Sequence, residues 1–476
     1  MIILSEGATG QRYPHQISGK PELMRFSHRD IDFAYDPNTL GLAVVQGSDT
    51  DEVLQDFARA SKPVFPLEVP KVPGSICLDI TRVCNLRCAY CFVGADDLRG
   101  KEKNLSLEDT IEGLALILPR MARQGDARNQ KLEISFFGGE PLTRFDYIQK
   151  VVTFVLGFVP MQVRFHVTTN GTLLTPEIVR FLELHNFTAI VSVDGPEAAH
   201  NELRVKADGS GSYEDMMRGL ELLRTYAPSV LRSTTLRSTF TPATAKSHSL
   251  SERIAHLNDL VDAGFGDGVS VEPAFIGEYA CHDMSTVRNE SVDFSDPVVR
   301  EFWEKQYSDA SDLWLERLAE GKSVYFHHYN AIMRRMHNGL AHCSECGAGK
   351  GYFTIAPGGE IYACHHEGGT LIGHINRGGV DSELAAVWQD NRYYSRLKCP
   401  DCPIRNVCGG GCREYSVAAG LGASMPVPGE CELKFLLFKN SAWLLSQLCA
   451  DDDLMEKAQR YIGLPKQSHA CSNTKR

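Results

Sequence analysis

Apolar positions recur along this chain in two periods. From about residue 74 to 280, short apolar or alternating runs are separated by longer stretches with apolar residues three and four apart. The strand-like runs are 76–81, 132–137, 163–168, 189–194, 233–240 and 269–273. Strand and helix taking turns in this way predict an α/β domain with a parallel sheet and crossover helices. The pattern by itself does not separate a partial (β/α)6 barrel from an open doubly wound sheet.

Residues 1–65 have a different texture. The stretch 26–35 reads as one strand, Asp36-Pro37-Asn38 as a turn and 40–45 as a second strand. A short helix is expected over 50–60, with Val53, Leu54, Phe57 and Ala58 on one face. Pro63, Pro66, Pro70 and Pro73 mark an extended linker. Beyond the alternating region, 282–340 predicts a helical bridge in which Phe302, Trp303, Tyr307, Leu313, Trp314 and Leu318 pack a core. The neighbouring His327 and His328 read either as facing the site or, the commoner case, as satisfied structural histidines. An amphipathic helix is expected over 435–448 and a polar tail over 470–476. The expected division is 1–65, 74–280, 281–340, 341–440 and 441–476.

Composition narrows the class. With 476 residues, 43% apolar and 23% charged, the chain has the make-up of a soluble globular enzyme of two or three domains. A formal charge of −11 argues against a nucleic-acid binder held by phosphate contacts. The sequence contains no apolar run of the roughly eighteen residues a membrane helix needs, and residues 1–14 lack the basic flank and apolar centre of a signal peptide. Fifteen cysteines, an odd number in metal-like spacings, point to a reducing cytoplasm.

The first group of thiols follows the first predicted strand: Cys84, Cys88 and Cys91, separated by three and then two residues. On a loop this spacing lets three sulfurs face one centre, and soft thiolates favour iron-sulfur or zinc over hard cations. A structural zinc site is normally closed by four protein ligands, whereas a reactive centre keeps a position open. The second strand ends in Gly138-Gly139-Glu140-Pro141, where paired glycines permit close backbone approach and the carboxylate can accept from an ammonium. The fourth carries Ser192 and Asp194, two apart and so on one side of a strand, and Arg204 follows. Parallel barrels place functional residues at these strand ends.

The CxxxCxxC loop after a strand, with these motifs in this order, resembles the radical S-adenosylmethionine superfamily. The resemblance implies a partial (β/α)6 TIM-like barrel and a 4Fe-4S cluster on Cys84, Cys88 and Cys91 whose open iron binds the amino and carboxylate groups of S-adenosylmethionine. In that family one electron cleaves the cofactor into methionine and a 5'-deoxyadenosyl radical. It further implies that Tyr90 packs near the adenine, that the Gly138–Pro141 motif holds the methionine amino group, that Ser192 and Asp194 serve the ribose hydroxyls, and that Arg204 grips the cofactor carboxylate.

A second group of thiols comprises Cys343, Cys346, Cys364, Cys399, Cys402, Cys408, Cys412 and Cys431. In isolation Cys399, Cys402, Cys408 and Cys412 also suit a zinc ribbon. From Cys346 the order is C-x12-G-x4-C, then C-x2-C-x5-C-x3-C, then a last cysteine, which is similar to the SPASM domain of radical peptide and protein maturases. By that resemblance Cys346, Cys364, Cys412 and Cys343 hold one auxiliary 4Fe-4S cluster, and Cys399, Cys402, Cys408 and Cys431 another, making three clusters in all.

The expected function is therefore hydrogen abstraction from a peptide or small protein, installing intrapeptidyl crosslinks, with sulfur-to-carbon thioethers favoured over carbon-carbon bonds. The alternative is a formylglycine-forming, sulfatase-maturing enzyme. Sulfatase-maturing relatives carry an aspartate base after the cysteine of the G-x4-C element, whereas Cys364 is followed here by His365 and His366. No catalytic base is assigned. An iron-sulfur electron carrier or binding scaffold is the reading from a different class, against which the cofactor motifs speak. A flavodoxin or ferredoxin is the expected electron donor, with no nucleic-acid or membrane partner. The N-terminal strands and helix suit either a small recognition domain for a leader segment or a plain cap on the barrel.

Overall fold

The computed structural model describes residues 5–6, 12–13, 23–45, 74–91, 104–123, 131–159, 161–273, 294, 296–344, 346–365, 369–390 and 392–464. Its strands are β1 Ser5–Glu6, β2 Arg12–Tyr13, β3 Met24–His28, β4 Ile31–Tyr35, β5 Leu42–Val45, β6 Gly74–Thr81, β7 Lys131–Gly138, β8 Gln162–Thr169, β9 Thr188–Ser192, β10 Thr234–Phe240, β11 Gly268–Pro273, β12 Tyr352–Ile355, β13 Glu360–Tyr362, β14 Leu371–His374 and β15 Gly379–Val380. The longer helices are α1 Leu107–Arg123, α2 Phe145–Phe158, α3 Pro176–Leu184, α4 Glu197–Leu203, α5 Tyr213–Tyr226, α6 Leu250–Asp262, α7 Pro297–Ala319, α8 His327–Asn338, α9 Pro428–Ala450 and α10 Asp452–Ile462. Proline opens α3, α7 and α9, where its missing N–H costs nothing and its fixed φ suits the first turn.

Six strands, β6 to β11, lie side by side in sequence order and pair in parallel. They coincide with the six runs expected from the pattern. Beyond β6 the sheet continues rather than closing onto β11: β12 joins β6 in parallel, and β13, β14 and β15 follow antiparallel, giving ten strands.

The two faces of the parallel part differ chemically, and this difference positions the site. Ile76, Leu78, Leu132, Ile134, Phe136, Phe165, Val167, Ala189, Val191, Leu236, Val269 and Val271 are all buried on one face and join the helices in a single core. Phe136, Phe165 and Phe187 stack there with centroids 5.3 to 6.3 Å apart. The alternate residues share the other face: Cys77 opposite Ser135, Asp79 opposite Phe137, Thr168 opposite Ile190, Ser192 opposite Arg237, Arg237 opposite Ser270, and Thr239 opposite Glu272. Most of these are only half-buried. Period-two alternation thus produces one helix-covered apolar face and one polar, accessible face.

Two expectations change at the ends of the chain. The single strand expected over 26–35 is a hairpin, β3 and β4, turning at Arg29 and Asp30 with φ of 52° and 58°. Asp30 suits a left-handed turn position but Arg29 does not, and Arg29 is held there by tertiary contacts. Arg29 reaches the carbonyl of Ser308, ion-pairs with Asp312 and lies 4.0 Å over the Trp443 ring. The helix and prolines expected over 50–73 lie outside the described residues. At the other end, the expected amphipathic helix is a longer one, α9, that runs unbroken across residue 440 and buries side chains all round, including Leu433, Phe435, Leu437, Phe438, Leu444 and Leu448. A helix apolar on every side is central rather than closing. It meets α7, α8 and α10, while Phe438 packs on Phe26 and Tyr35 of the small sheet β3–β5. Among the described residues no helix is long and apolar enough to cross a membrane.

Candidate active site

The three-thiol loop leaves β6 at Thr81 and is anchored by the loops beyond the neighbouring strands. Thr81 Oγ1 accepts from Val83 N at 3.1 Å and donates to Asn104 at 2.8 Å. Gly139 N donates to the Thr81 carbonyl at 2.6 Å and Glu140 N to the Val83 carbonyl at 2.9 Å. A Cβ on Gly138, whose φ is +134°, would stand 2.2 Å from the Thr81 oxygen, and one on Gly139 would stand 2.5 Å from that of Val83. Only glycine permits that approach. On the opposite side Leu86 forms an antiparallel bridge with Lys206, and the amides of Arg87 and Ala89 donate to Val205 and Leu203 at 2.7 and 3.0 Å.

Asn85 closes the third side, donating to Thr172 Oγ1 at 2.8 Å and accepting from Asn170 Nδ2 at 2.9 Å. Asn85, Asn170 and Thr172 were not among the residues expected at the site; Asn85 sits between two of the expected thiols, and the signal for Asn170 and Thr172 is a run of short polar residues after a strand.

Cys84, Cys88 and Cys91 are half-buried, and none is in a disulfide. Burial pushes the thiols of Cys84 and Cys88 up to about 11. Donors face both sulfurs: Leu86 N at 3.3 Å and Asn170 Nδ2 at 3.9 Å from Cys84, and Arg204 Nη1 at 3.9 Å from Cys88. Soft sulfurs carried on one loop and met by N–H and guanidinium donors fit a thiolate-ligated cluster. Among the described residues no three His, Cys, Asp or Glu side chains converge on a point suited to a single ion.

Glu140 is buried and holds protein donors on both oxygens: Leu142 N at 3.0 Å and Thr169 Oγ1 at 2.8 Å on Oε1, Asn170 N at 2.7 Å on Oε2. Burial raises its pKa against these bonds. The expected role of this carboxylate on an ammonium thus meets a group engaged in joining β7 to β8. Pro141 opens the short 3-10 turn that follows.

Asp194 is fully buried. Oδ1 accepts from Thr239 N at 2.9 Å, while Oδ2 accepts from the Tyr90 hydroxyl at 2.5 Å and pairs with Arg204 Nε at 3.0 Å. Arg204 also lies 5.3 Å from the Tyr90 ring centroid. Burial opposes the Arg204 charge, and Asp194 beside it holds the proton firmly. Asp194, Arg204 and Tyr90, expected on three parts of a ligand, lie together as one buried unit against Cys88. Ser192 stays half-exposed on the polar face, two residues before it.

The second group of thiols is divided by the fold. Cys399, Cys402, Cys408 and Cys431 line one cavity, together with Arg405 and Glu430. Arg405 donates to the Cys402 carbonyl, and Glu430 Oε1 accepts from Cys412 N at 2.8 Å. Cys346 acts electrostatically on Cys412. Cys343 is buried with Tyr393 and Cys399, and its carbonyl accepts from Tyr393 N. His365, beside Cys364, accepts or donates at 2.8 Å with the Tyr352 hydroxyl and meets the Phe137 ring edge-on at 4.8 Å, next to Gly138. That placement joins the second thiol group to the end of β7 and has no signal in the sequence.

An α/β protein whose first parallel strand delivers three thiols to a loop, with a glycine pair seated on that loop from the next strand, is built to hold a cluster at the strand ends. Residues 78–246 match the Radical SAM superfamily, and the chain carries a radical SAM domain. It is accordingly an enzyme that uses S-adenosylmethionine and a 4Fe-4S cluster. The sequence is 24% identical over 396 residues to the radical SAM cyclopropyl synthase TigE of Paramaledivibacter caminithermalis, covering 78% of this chain and 74% of that one. It is 22% identical to the cysteine-type anaerobic sulfatase-maturating enzyme of Clostridium novyi, covering 69% and 85%. Its fold is similar to the structure of histidine-tagged anSMEcpe with bound AdoMet, with a TM-score of 0.60 at 18% identity over 82% of this chain and 99% of that one.

Proposed function

We propose that this enzyme oxidises a peptide or small protein, removing hydrogen from it and closing an intrapeptidyl crosslink, with a cysteine sulfur-to-carbon thioether as the product. The observation that carries the reading is the presence of two thiol centres in one chain: the strand-end loop after β6, and, beyond the last strand of the sheet, the cavity of Cys399, Cys402, Cys408 and Cys431. A crosslink formed by loss of two hydrogens removes two electrons from the substrate. The second thiol centre is where an acceptor for one of them is held. The similarity to the sulfatase-maturating enzyme supports a peptide or protein substrate.

Cys84, Cys88 and Cys91 would ligate the S-adenosylmethionine cluster, and Cys343, Cys346, Cys364 and Cys412 with Cys399, Cys402, Cys408 and Cys431 two auxiliary ones in a SPASM domain. When bound, the cofactor and its cluster supply a hydrogen-abstracting radical. The residues of the chain do the rest. The carbonyls of Gly138 and Gly139, rather than the engaged Glu140 side chain, suit an ammonium; Ser192 suits a ribose hydroxyl; the unit of Asp194, Arg204 and Tyr90 sets the position of the loop that carries Cys88. The polar face of β6–β11, curled as a partial barrel, admits the substrate. A flavodoxin or ferredoxin would deliver the electron, and an edge of the β3–β5 sheet is a place for a leader strand.

Mass spectrometry of the candidate peptide after anaerobic reaction with S-adenosylmethionine and reductant tests this. Loss of two hydrogens together with one alkylatable thiol is the expected result. Loss of two hydrogens with every thiol retained would replace the thioether by a carbon-carbon bond, as the likeness to a cyclopropyl synthase favours. Conversion of a cysteine to an aldehyde would establish the sulfatase-maturing reading.

A further inference from the structure

Below Ser192 the polar face of the sheet opens into a cavity of about 370 Å3, lined by Arg237, Ser270 and Glu272 from β10 and β11 and by His327, Asn330 and Arg334 from α8, and closed by the end of α10. The three helical residues fall at i, i+3 and i+7, one face of the helix.

Charge in this cavity is unevenly satisfied. Glu272 is already partnered, by His328 Nε2 at 3.0 Å and Ser270 Oγ at 2.9 Å. Burial would raise its carboxyl, but His328 and Arg237 hold it below the usual carboxylate range. Asn330 is also engaged, with Trp314 Nε1 and the Val324 carbonyl at 3.0 Å each. Arg237 and Arg334 differ: both are exposed to the cavity, and neither guanidinium makes a hydrogen bond or ion pair among the described residues. By contrast, Arg317 nearby takes both Asp259 and Asp262. Arg237 acts on Glu272 through space, yet in a chain of net charge −11 two guanidinium groups that face one cavity without a direct partner among the described residues suit an anion.

We propose that this cavity is a carboxylate-binding subsite that holds an acidic side chain or the C-terminal carboxylate of the peptide substrate. The inference rests on the peptide-modifying reading above. A planar carboxylate matches the guanidinium fork, and His327 adds a ring donor beside it. Arg237 stands opposite Ser192, two residues before the Asp194 that meets Tyr90. At about 3.3 Å per strand residue, a carboxylate held at Arg237 lies roughly 7 Å, two strand residues, from the level of Asp194, a span that two or three peptide residues cover. The subsite would set which residue is presented to the thiol loop.

The test uses the anaerobically reconstituted full chain and ligand-observed NMR titration with N-acetylglutamate N-methylamide, its glutamine counterpart, N-acetylalanine and inorganic phosphate. Either carboxylate probe is expected to bind about tenfold more tightly than the glutamine one, a difference near 1.4 kcal/mol. Preference for the glutamate probe assigns the site to a side chain, and preference for N-acetylalanine to a C terminus. Arg334→Gln and Arg237→Gln should each abolish the difference, and Arg334→Lys should keep part of it, with near-UV circular dichroism confirming the fold. Equal binding of the glutamate and glutamine probes, no effect of either glutamine variant, or binding of phosphate but neither carboxylate overturns the proposal. No radical chemistry enters this readout. Probe binding without any modified peptide would sink the peptide reading and leave the subsite; modified peptide without probe binding would do the reverse.

Discussion

The Tyr90 hydroxyl donates to Asp194 Oδ2 at 2.5 Å, so the residue before the third thiol of the loop is tied to the chain just beyond β9. The same oxygen faces Arg204, whose guanidinium reaches Cys88. Tyr90→Phe should cost about 1.5–3 kcal/mol, the value of a hydrogen bond to a charged group, and loosen the loop. Asp194→Ala should cost more, about 3–5 kcal/mol, because it leaves Arg204 buried and uncompensated. Thermal melts order the two variants, and 5'-deoxyadenosine production should fall in the same order. If Asp194→Ala melts like the wild type, the carboxylate does not organise the loop.

Asn85 supplies the other anchor. Asn85→Ala removes its bonds to Asn170 and Thr172 and leaves both of these buried partners without it. The expected effect is a loss of about 1–2 kcal/mol, with faster loss of iron from the loop under chelator. Iron release at the wild-type rate would show that the glycine pair and the Leu86 bridge suffice.

The two thiol groups should separate by stoichiometry. Cys431→Ala, in the cavity shared with Cys399, Cys402 and Cys408, should lower iron from about twelve to about eight per chain while S-adenosylmethionine cleavage continues. Cys84→Ala should abolish cleavage. Retention of all iron by Cys431→Ala would remove this residue from the ligands.

How much of this was legible follows from what each signal depends on. The six parallel strands showed in the sequence because one buried face imposes a period of two on each, as in Leu236, Ser238 and Phe240 against Thr235, Arg237 and Thr239. The thiol loop showed because its chemistry needs fixed spacing. The β3–β4 turn did not, since Arg29 and Asp30 take left-handed conformations for the sake of contacts made with α7 and Trp443, far away in the chain. The contacts of Asp194 and Arg204 with Tyr90 and Cys88 were also hidden, because those partners lie more than a hundred residues earlier.

That distant clamp has a measurable consequence. A non-glycine residue in the left-handed region costs about 1–2 kcal/mol, which the Arg29 contacts with Ser308, Asp312 and Trp443 offset. Arg29→Ala should therefore lower stability by about 1–3 kcal/mol, while replacing Asp30 by glycine should raise it slightly. Both follow from thermal melts, and an unchanged midpoint for Arg29→Ala would show that Phe26 and Tyr35 on Phe438 hold the sheet without it.

Asp79 gives a dependence on pH whose sign can be worked out. Its side chain lies on the polar face, Oδ1 is buried without a hydrogen-bond partner, and a Cβ on Gly138 would stand 2.7 Å from it. Burial pushes this carboxyl up to about 7 against the opposing pull of Arg82. An unfolded chain releases the same proton near 3.8. Between those values the folded state binds more protons, so stability falls as pH rises through this window and remains low above it. Asp79→Asn removes the ionisation. It should raise stability at pH 8 by up to about 4 kcal/mol and by far less at pH 4.5. Denaturant melts of both proteins at the two values decide it: a difference that does not grow with pH would mean that Asp79 is already ionised at low pH and that burial does not govern its charge.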